Sequence, residues 1–499
     1  MEQEPFESTP SSPPAIAAWL AALLVFGASG AVLVVEIASL RLLAPYLGLT
    51  LETNTLVIGL ALAAIAAGAW LGGRAADQFR PRRLLGPLLA IAGGAVALLP
   101  TVVRASGQAG ATGAFLPVTT IAIVVPAALL SAVTPIVIKL RLTSLDETGS
   151  VVGRLSGIGT LGAIAGTVLT GFVLVTLVPV SSILVGLGIA LVLTAVLVDL
   201  RVRGWRGAAV PTAVVAVGAL TAMVVPGGCD VETTYHCAVI ETDPDRASGR
   251  VLVLDGLRHS YVDLEDPTHL DFDYVAAMAA AVEASYPEGR PLRVHHLGGG
   301  GLTLPRYLDT VRPGTYSTVS EIDPGVIEID VEQLGAELGG GIDVRTEDGR
   351  AGLRRLAEDS RDLVVGDAFG GVSVPFHLTT REALSDVDRV LVPEGLYVAN
   401  LIDHPPHGFA RAELATLDRV FDHVVLAAEP DTLAGSGGGN LVAVAADTPI
   451  DLTGYVDAMG AAGIDWSAIE GAALDRWIGD AEVLVDDHAP VDQLLTPYG

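Results

Sequence analysis

Seven apolar stretches of about 20 residues or slightly more dominate the first 226 residues. They cover roughly 15–43, 54–73, 84–103, 115–138, 155–178, 181–200 and 208–226. A helix rises about 1.5 Å per residue, so each stretch is long enough to cross the hydrocarbon core of a bilayer. We therefore predict a polar tail over 1–14 and an α-helical transmembrane bundle of about seven spans over 15–226. This predicts a multi-pass protein of the cell membrane whose partner is the lipid bilayer.

The charges divide the chain at the same place. Residues 1–226 carry 12 basic and 9 acidic side chains, whereas residues 227–499 carry 17 and 48. Such an acidic chain cannot neutralise phosphates, which excludes a basic nucleic-acid-binding protein, so no nucleic-acid partner is expected. Two cysteines in 499 residues exclude a disulfide-rich secreted module. The acidity itself is typical of a well-solvated surface. A homodimer is compatible with the sequence.

The orientation of the spans follows from basic residues in three loops. These residues fall within 74–83, 139–154 and 201–206, which lie on one side of a seven-span bundle. Basic loops remain cytoplasmic, so this count places the acidic half outside. One span fewer would place it inside, and the sidedness stays open. Cys229 and Cys237 follow the last stretch, either as a disulfide, which is stable outside, or as two free thiols.

The acidic half changes to short strand patterns. His236–Thr242, Arg250–Asp255 and His259–Leu264 predict a small β-strand subdomain over 227–285. Further along, strands alternate with helical stretches, which predicts an α/β Rossmann-like, methyltransferase-type sheet of parallel strands over 286–499. The predicted strands are Leu292–Leu297, Tyr316–Ser320, Ile342–Arg345, Asp362–Val365, Gly395–Leu401 and Leu441–Ala445.

Ligands of such sheets bind at the carboxyl ends of the strands. The run Gly298, Gly299, Gly300, Gly301 follows the first strand and lets a nucleoside approach the backbone closely. Glu321 ends the second strand, where a carboxylate can accept hydrogen bonds from both ribose hydroxyls. Asp323 is expected to cap the helix that starts at Pro324.

Two more acids follow the next strands. Asp348, with Gly349, either starts a helix or accepts a hydrogen bond from an adenine amino group. Asp367 ends the fourth strand, where its carboxylate can take the proton of an amine that attacks an electrophilic carbon. The alternative for Asp367 is a solvated turn. No metal site is predicted, since the histidines lack zinc-ligand spacing.

Five motifs occur in the order and spacing of the spermidine synthases, or polyamine aminopropyltransferases. They are Leu254-Asp-Gly256, Gly298–Gly301, Ser320-Glu-Ile-Asp-Pro324, Glu347-Asp-Gly349 and Asp362-Leu-Val-Val-Gly-Asp367. The whole chain resembles the membrane-fused branch of that family, as does its Asp486-Asp-His-Ala-Pro-Val491 segment.

The resemblance implies an enzyme that transfers an aminopropyl group from decarboxylated S-adenosylmethionine to an amine such as putrescine, releasing methylthioadenosine. It implies no permanently bound cofactor. Glu321 would hold the ribose, Asp348 and Gly349 the adenine, and Asp367 would be the general base. His259 stands where the family usually has a glutamine beside the nucleoside.

Three amine-binding positions depart from the family. Gly301 and Gly370 stand where it has aspartates, and Val275 stands where it has a histidine. Each missing group would have held a cationic amine through charge-assisted hydrogen bonds. The acceptor therefore stays open. Two alternatives also stay open: methyl transfer or cyclisation of an S-adenosylmethionine-type ligand, and a non-catalytic membrane sensor or transporter with a nucleoside- or polyamine-binding domain.

Overall fold

The computed structural model describes residues 16–47, 51–108, 115–144, 147–203, 229–370 and 373–496. The chain forms two units, residues 1–228 and residues 229–499. The finer division into a tail, a bundle, a β-strand subdomain and a sheet domain remains a prediction.

The first unit is helical. Its α-helices are Ala18–Leu47, Leu51–Gln78, Pro81–Gln108, Phe115–Ser131, Val133–Arg141, Thr148–Leu169, Val175–Leu177 and Val180–Arg203, with a π-helical turn at Thr170–Leu174. Within the described ranges, six helical segments are long and apolar enough to cross a membrane, and they match the first six predicted stretches. The seventh stretch, 208–226, lies outside the described residues, so its span remains a prediction.

Small residues let these helices approach one another closely. A Cβ atom at Gly162 would lie 2.2 Å from the carbonyl oxygen of Phe26, and one at Gly68 would lie 2.1 Å from that of Ala128. Glycine at such contacts lets van der Waals packing hold helices together where lipid provides no hydrophobic drive. The helices are therefore packed as a bundle.

The second unit begins with a four-stranded antiparallel sheet. Its strands, in the order β1-β2-β3-β4, are Val231–Glu232, Cys237–Thr242, Gly249–Leu254 and Leu257–Asp263. The last three match the predicted strands to within two residues, and β1 was not predicted. A disulfide joins Cys229 to Cys237, the first of the two alternatives for this pair.

An eight-stranded sheet follows, in the order β12-β10-β11-β9-β8-β5-β6-β7. Its strands are Arg293–Leu297 (β5), Tyr316–Glu321 (β6), Ile342–Thr346 (β7), Arg361–Gly366 (β8), Leu391–Asp403 (β9), His423–Ala428 (β10), Gly439–Ala446 (β11) and Ser467–Glu470 (β12). Strands β5 to β9 are parallel, and the chain switches direction across the sheet between β5 and β8. Such a switch opens a crevice at the carboxyl ends. The predicted fold class is confirmed.

The expectation of a wholly parallel sheet is wrong for its last third. β11 is antiparallel to both β9 and β10, and β10 is antiparallel to β12. The ten residues between β10 and β11 hold only the short helix Pro430–Leu433. This is too short for the crossover that parallel neighbours need, so the chain turns straight back. β10 and β12 were not predicted.

Helices cover both faces of the large sheet, as parallel strands require. Asp273–Ser285 and Leu452–Ala461 pack on one face around Met278, Tyr455 and Trp466. Arg381–Val390, Gly408–Leu417 and Gly471–Ile478 pack on the other around Leu384, Phe409 and Trp477. The remaining helices are Thr303–Val311, Pro324–Glu332, Gly349–Arg355 and Val491–Leu494, with 3-10 turns at Gly300–Leu302 and Phe376–Leu378. The carboxyl ends of the parallel strands, between these two layers of helices, border a cavity.

Candidate functional site

A cavity of about 570 Å³ lies along this carboxyl edge, with side chains from the four-stranded sheet on its rim. It is lined by all eight residues predicted for the site: His259, Gly298, Gly299, Gly300, Glu321, Asp348, Gly349 and Asp367. Residues from five separate segments of the chain thus converge on one volume. Among the residues placed in the structure, no three His, Cys, Asp or Glu side chains converge to hold a metal ion.

The glycine loop and the proposed base share a backbone contact. Gly298 has a φ of +96°, and a Cβ atom there would lie 2.2 Å from the carbonyl oxygen of Asp367. The Asp367 amide donates to the Leu297 carbonyl over 2.9 Å, and the Gly298 amide donates to the Ser320 carbonyl over 3.0 Å. Only glycine combines this φ with this proximity. The loop is therefore fixed to the strands on either side of it.

Glu321 is oriented by two backbone amides. Its Oε2 accepts from Gly299 over 2.8 Å, and its Oε1 accepts from Asp323 over 2.8 Å. Burial raises the pKa of Glu321, and the two amide hydrogen bonds oppose that rise. Asp323 caps the helix Pro324–Glu332 by accepting from Gly325 over 2.9 Å, as predicted. Glu321 thus presents a fixed carboxylate to the cavity.

Asp348 caps the helix Gly349–Arg355, which is the first of its two sequence interpretations, and its hydrogen bond to an adenine remains a prediction. Its Oδ1 accepts from the Ala351 amide over 2.9 Å, and its Oδ2 pairs with His377 Nε2 over 2.7 Å. Partial burial raises the pKa of Asp348, but these two partners outweigh it and the pKa is lowered. The carboxylate therefore stays charged beside the glycine loop.

Asp367 is held by two neutral donors. Asn400 Nδ2 donates to its Oδ1 over 2.9 Å, and the Tyr274 hydroxyl lies 3.4 Å from its Oδ2. Asn440 Nδ2 donates to Asn400 Oδ1 over 2.9 Å, which fixes the orientation of the Asn400 amide. Burial raises the pKa of Asp367 to about 6, despite both hydrogen bonds. A carboxylate with this pKa is ionised at neutral pH and is more basic than an ordinary aspartate.

Two histidines line the cavity near the glycine loop: His259 of β4, and His236, which directly precedes β2. The His259 ring faces Gly300, and its centroid lies 6.3 Å from that of His236. Burial and the neighbouring His236 lower the pKa of His259 to about 4, so its imidazole is neutral at pH 7. His236 Nδ1 pairs with Asp255 over 2.7 Å. His259 can thus act as a neutral hydrogen-bonding group.

The three departures from the family are built into the backbone. Gly301 has a φ of +77°, its amide donates to Asp330 over 2.8 Å, and a Cβ atom there would lie 2.1 Å from Ser260 Oγ. Gly370 donates its amide to the Ser373 carbonyl over 2.8 Å. Val275 is buried and lines the cavity with an apolar side chain. None of these positions brings a charged side chain to the cavity.

Several cavity residues were missed by the sequence analysis: His236, His377, Asn400, Asn440 and Trp466. Asn400 had a detectable signal, because it interrupts the apolar strand Tyr397-Val-Ala-Asn400-Leu and is 3% exposed. A buried amide in a central strand needs a partner. His377 follows an irregular segment, and nothing local in the sequence predicts its contact with Asp348.

Comparison with known proteins gives relatives of one kind. A polyamine aminopropyltransferase of Vibrio vulnificus is 33% identical over 113 residues, which are 22% of this chain and 38% of that protein. One of Chromobacterium violaceum is 30% identical over 143 residues, 28% of this chain and 53% of that protein. The chain thus spans about half or less of the length of these curated relatives. No family model matches the chain.

A solved structure described as a probable spermidine synthase from Corynebacterium glutamicum is also similar. It is 28% identical, covers 51% of this chain and 95% of its own length, and superposes with a TM-score of 0.49. The resemblance to the spermidine synthases, first seen in the motifs, is supported by the curated relatives.

Proposed function

From this similarity and the cavity, we propose that the chain is a membrane-anchored aminopropyltransferase. It takes decarboxylated S-adenosylmethionine, or a closely related S-adenosylmethionine-type ligand, and a small-molecule amine such as putrescine. Glu321 binds the ribose hydroxyls, Asp348 and Gly349 bind the adenine, and His259 lies beside the nucleoside. Gly298, Gly299 and Gly300 admit the ligand to the backbone.

The observation that carries the proposal is the setting of Asp367. Its carboxylate lines the same cavity as the glycine loop and Glu321, and its pKa is raised to about 6 by burial. A general base works best when its pKa lies near the working pH and its position is fixed. The hydrogen bonds from Asn400 and Tyr274 supply that position.

The reaction balances with Asp367 as the only proton acceptor. The amine nitrogen attacks the aminopropyl carbon next to the sulfonium, and a C–N bond forms as the C–S bond breaks. The C–S electron pair returns to sulfur, giving neutral methylthioadenosine. Because the attacking nitrogen needs a free lone pair, its ammonium form first gives one proton to Asp367, which later releases it to water, and the new secondary amine leaves protonated. Acidic side chains around the cavity favour both cationic substrates.

The strand residues that line the cavity beyond Asp367 are neutral, whereas Asp271 and Asp273 line it beside Tyr274. On the side of Asp367 away from the glycine loop, the cavity is lined by Asn400 of β9, Asn440 of β11 and Trp466 just before β12. Glu429, which follows β10, is a carboxylate on this side and is exposed to solvent. With glycines at 301 and 370, we propose an amine that differs from putrescine or is bound differently.

The test is mass spectrometry of the nucleoside product. Detergent-purified full-length protein is incubated with decarboxylated or intact S-adenosylmethionine, with and without a panel of amines. We expect methylthioadenosine that depends on an amine. Amine-independent methylthioadenosine would instead indicate cyclisation, and S-adenosylhomocysteine would indicate methyl transfer. Nucleoside binding without any product would favour a membrane sensor or transporter.

Asp367→Asn is the matched variant for the base. It keeps the size of the side chain but cannot take a proton at neutral pH. Loss of a general base slows reactions by about 10²- to 10⁴-fold, so turnover should fall by that factor while nucleoside binding persists. Unchanged turnover would show that Asp367 is not the base.

We also propose, from the count of basic loops, that the second unit (residues 229–499) faces outward. An outward-facing unit would lack a cosubstrate made in the cytosol, so this placement favours the sensor or transporter alternative over the transferase. The basic loops of a seven-span bundle lie on the opposite side, and the Cys229–Cys237 disulfide is of a kind that persists in oxidising compartments. A reporter that is active only in the cytoplasm, fused after Gly499, tests this independently of turnover. Reporter activity would place the unit inside, and its absence beside an active periplasmic-type reporter would place it outside.

A further inference from the structure

The carboxy-terminal segment Asp486-Asp-His-Ala-Pro is joined to the nucleoside side of the cavity. Asp486 binds Arg350 through two hydrogen bonds, from Nη1 to Oδ1 over 2.7 Å and from Nη2 to Oδ2 over 2.9 Å. A bidentate pair between arginine and carboxylate combines strength with a fixed geometry. The Arg350 side chain is 9% exposed and that of Asp486 is 42% exposed, so the arginine end of the pair is buried while the carboxylate end reaches solvent.

Arg350 connects this pair to residues that line the cavity. It directly follows Gly349, and its Nη1 also donates to the backbone carbonyl of His377 over 3.3 Å. The imidazole of His377 pairs with Asp348 over 2.7 Å. Arg350 therefore holds the backbone of the residue whose ring contacts the proposed adenine-binding carboxylate. Asp386, the other acid near Arg350, lies 3.6 Å from its Nε.

Asp486 also fixes the far end of the same segment. Its Oδ1 accepts from the Thr380 hydroxyl over 2.7 Å, and Thr380 caps the helix Arg381–Val390. The Arg381 amide donates to the Leu484 carbonyl over 2.8 Å, and the Asp486 amide donates to Glu382 over 3.0 Å. The carboxylate of Asp486 thus anchors the stretch 375–380 directly at Thr380 and, through Arg350, at His377.

From these contacts we propose that Asp486 is a positioning residue. The proposal rests on the proposed function only for the identity of the ligand. Asp486 holds the stretch 375–380, and with it the contact between His377 and Asp348, in the geometry that receives the nucleoside. The neighbouring Asp487 is exposed and makes no such contact among the residues that the structure describes. The two adjacent aspartates therefore have different roles.

The experiment compares Asp486→Asn with Asp487→Asn in the full chain in detergent. Amide hydrogen exchange is first measured without ligand. We expect faster exchange at Leu378 and Thr379, whose amides donate to the carbonyls of Pro375 and Phe376, in Asp486→Asn only. Equal exchange in both variants would overturn the proposal. This readout needs neither binding nor turnover, so it decides the anchoring even if the proposed function fails.

The second readout is the Michaelis constant for the nucleoside cosubstrate. Loss of a charge-assisted pair that acts through His377 should raise KM by about fivefold or more in Asp486→Asn, with kcat unchanged. Asp486→Glu, which keeps the carboxylate, should recover most of the affinity. Glu283→Gln is the control for general destabilisation, because it weakens the distant Arg312–Glu283 pair. If Glu283→Gln raised KM to the same extent, the positioning role of Asp486 would be overturned.

Discussion

Asn400 donates its side-chain amide to the carboxylate of Asp367 over 2.9 Å, and this is the shortest hydrogen bond that Asp367 accepts from a side chain in the described structure. The amide cannot rotate freely, because its oxygen accepts from Asn440. The proposed base is thus paired with a fixed, uncharged donor. Such a donor favours the ionised carboxylate without competing for the proton that Asp367 must accept.

Replacing Asn400 with leucine should raise the pKa of Asp367 further, since the hydrogen bond lowers it. A hydrogen bond to a charged group contributes about 1.5–3 kcal/mol, or roughly one to two pKa units. The acidic limb of the kcat/KM profile should move from near pH 6 toward neutrality. Tyr274→Phe should shift it less, because that contact is 3.4 Å. An unmoved limb in Asn400→Leu would argue against Asp367 as the titrating group.

Asp367→Asn should stabilise the soluble unit at neutral pH. The pKa of Asp367 is raised to about 6 in the folded chain, so its carboxylate contributes least to stability when it is ionised. The stability that protonated Asp367 contributes is fully present below the ordinary aspartate pKa and is lost as pH rises through about 6. At pH 8 the free energy of unfolding of Asp367→Asn should therefore exceed that of the unmodified chain by about 1–3 kcal/mol, and its thermal midpoint should be higher. The two midpoints should converge near pH 4, and a constant difference would contradict the shift.

Glu321→Gln should weaken nucleoside binding. The amides of Gly299 and Asp323 both donate to the Glu321 carboxylate, and glutamine would turn a donor toward one of them. The loss of charged hydrogen bonds to the ribose corresponds to about 10- to 100-fold in Kd. Calorimetric titration with methylthioadenosine measures this. Glu332→Gln, at the exposed end of the neighbouring helix, should leave Kd unchanged.

Gly301→Asp should fail to restore an amine-binding carboxylate. The new Cβ atom would clash with Ser260 Oγ, and a φ of +77° strains the backbone of any residue that has a Cβ atom. Strain of this kind costs about 1–3 kcal/mol, so the thermal midpoint should fall without any gain in diamine affinity. Gly301→Ala should be destabilised to a similar extent. Improved use of putrescine by Gly301→Asp would show that the loop can adapt.

Much of the site proposed for the nucleoside was predictable from the sequence, because its residues follow strands with simple patterns. Glu321, Asp348 and Asp367 each end or follow a parallel strand, and parallel strands bring their carboxyl ends to one edge. The glycine run marks the same edge. These are local signals, and the topology converts them into proximity.

The acceptor half was not predictable in the same way. Asn440 and Trp466 reach the cavity only because β11 and β12 run antiparallel to their neighbours, which brings the starts of these strands to the carboxyl edge. The direction of β11 depends on a short connection, and β12 has only four residues. His377 depends on contacts more than 25 residues away in sequence. Pairing between distant segments has no local pattern.

The antiparallel insertion of β11 has a consequence for how the proposed acceptor specificity could be diversified. The residues proposed to bind the nucleoside follow β5, β6 and β7, whereas residues in or beside β9, β10, β11 and β12 line the opposite end of the cavity. The two sets of strands meet at β8, which Asp367 directly follows. Libraries that vary Glu429 and Trp466, and keep Asn440 because it orients Asn400, could therefore explore new acceptors while the residues proposed to bind the nucleoside are left unchanged.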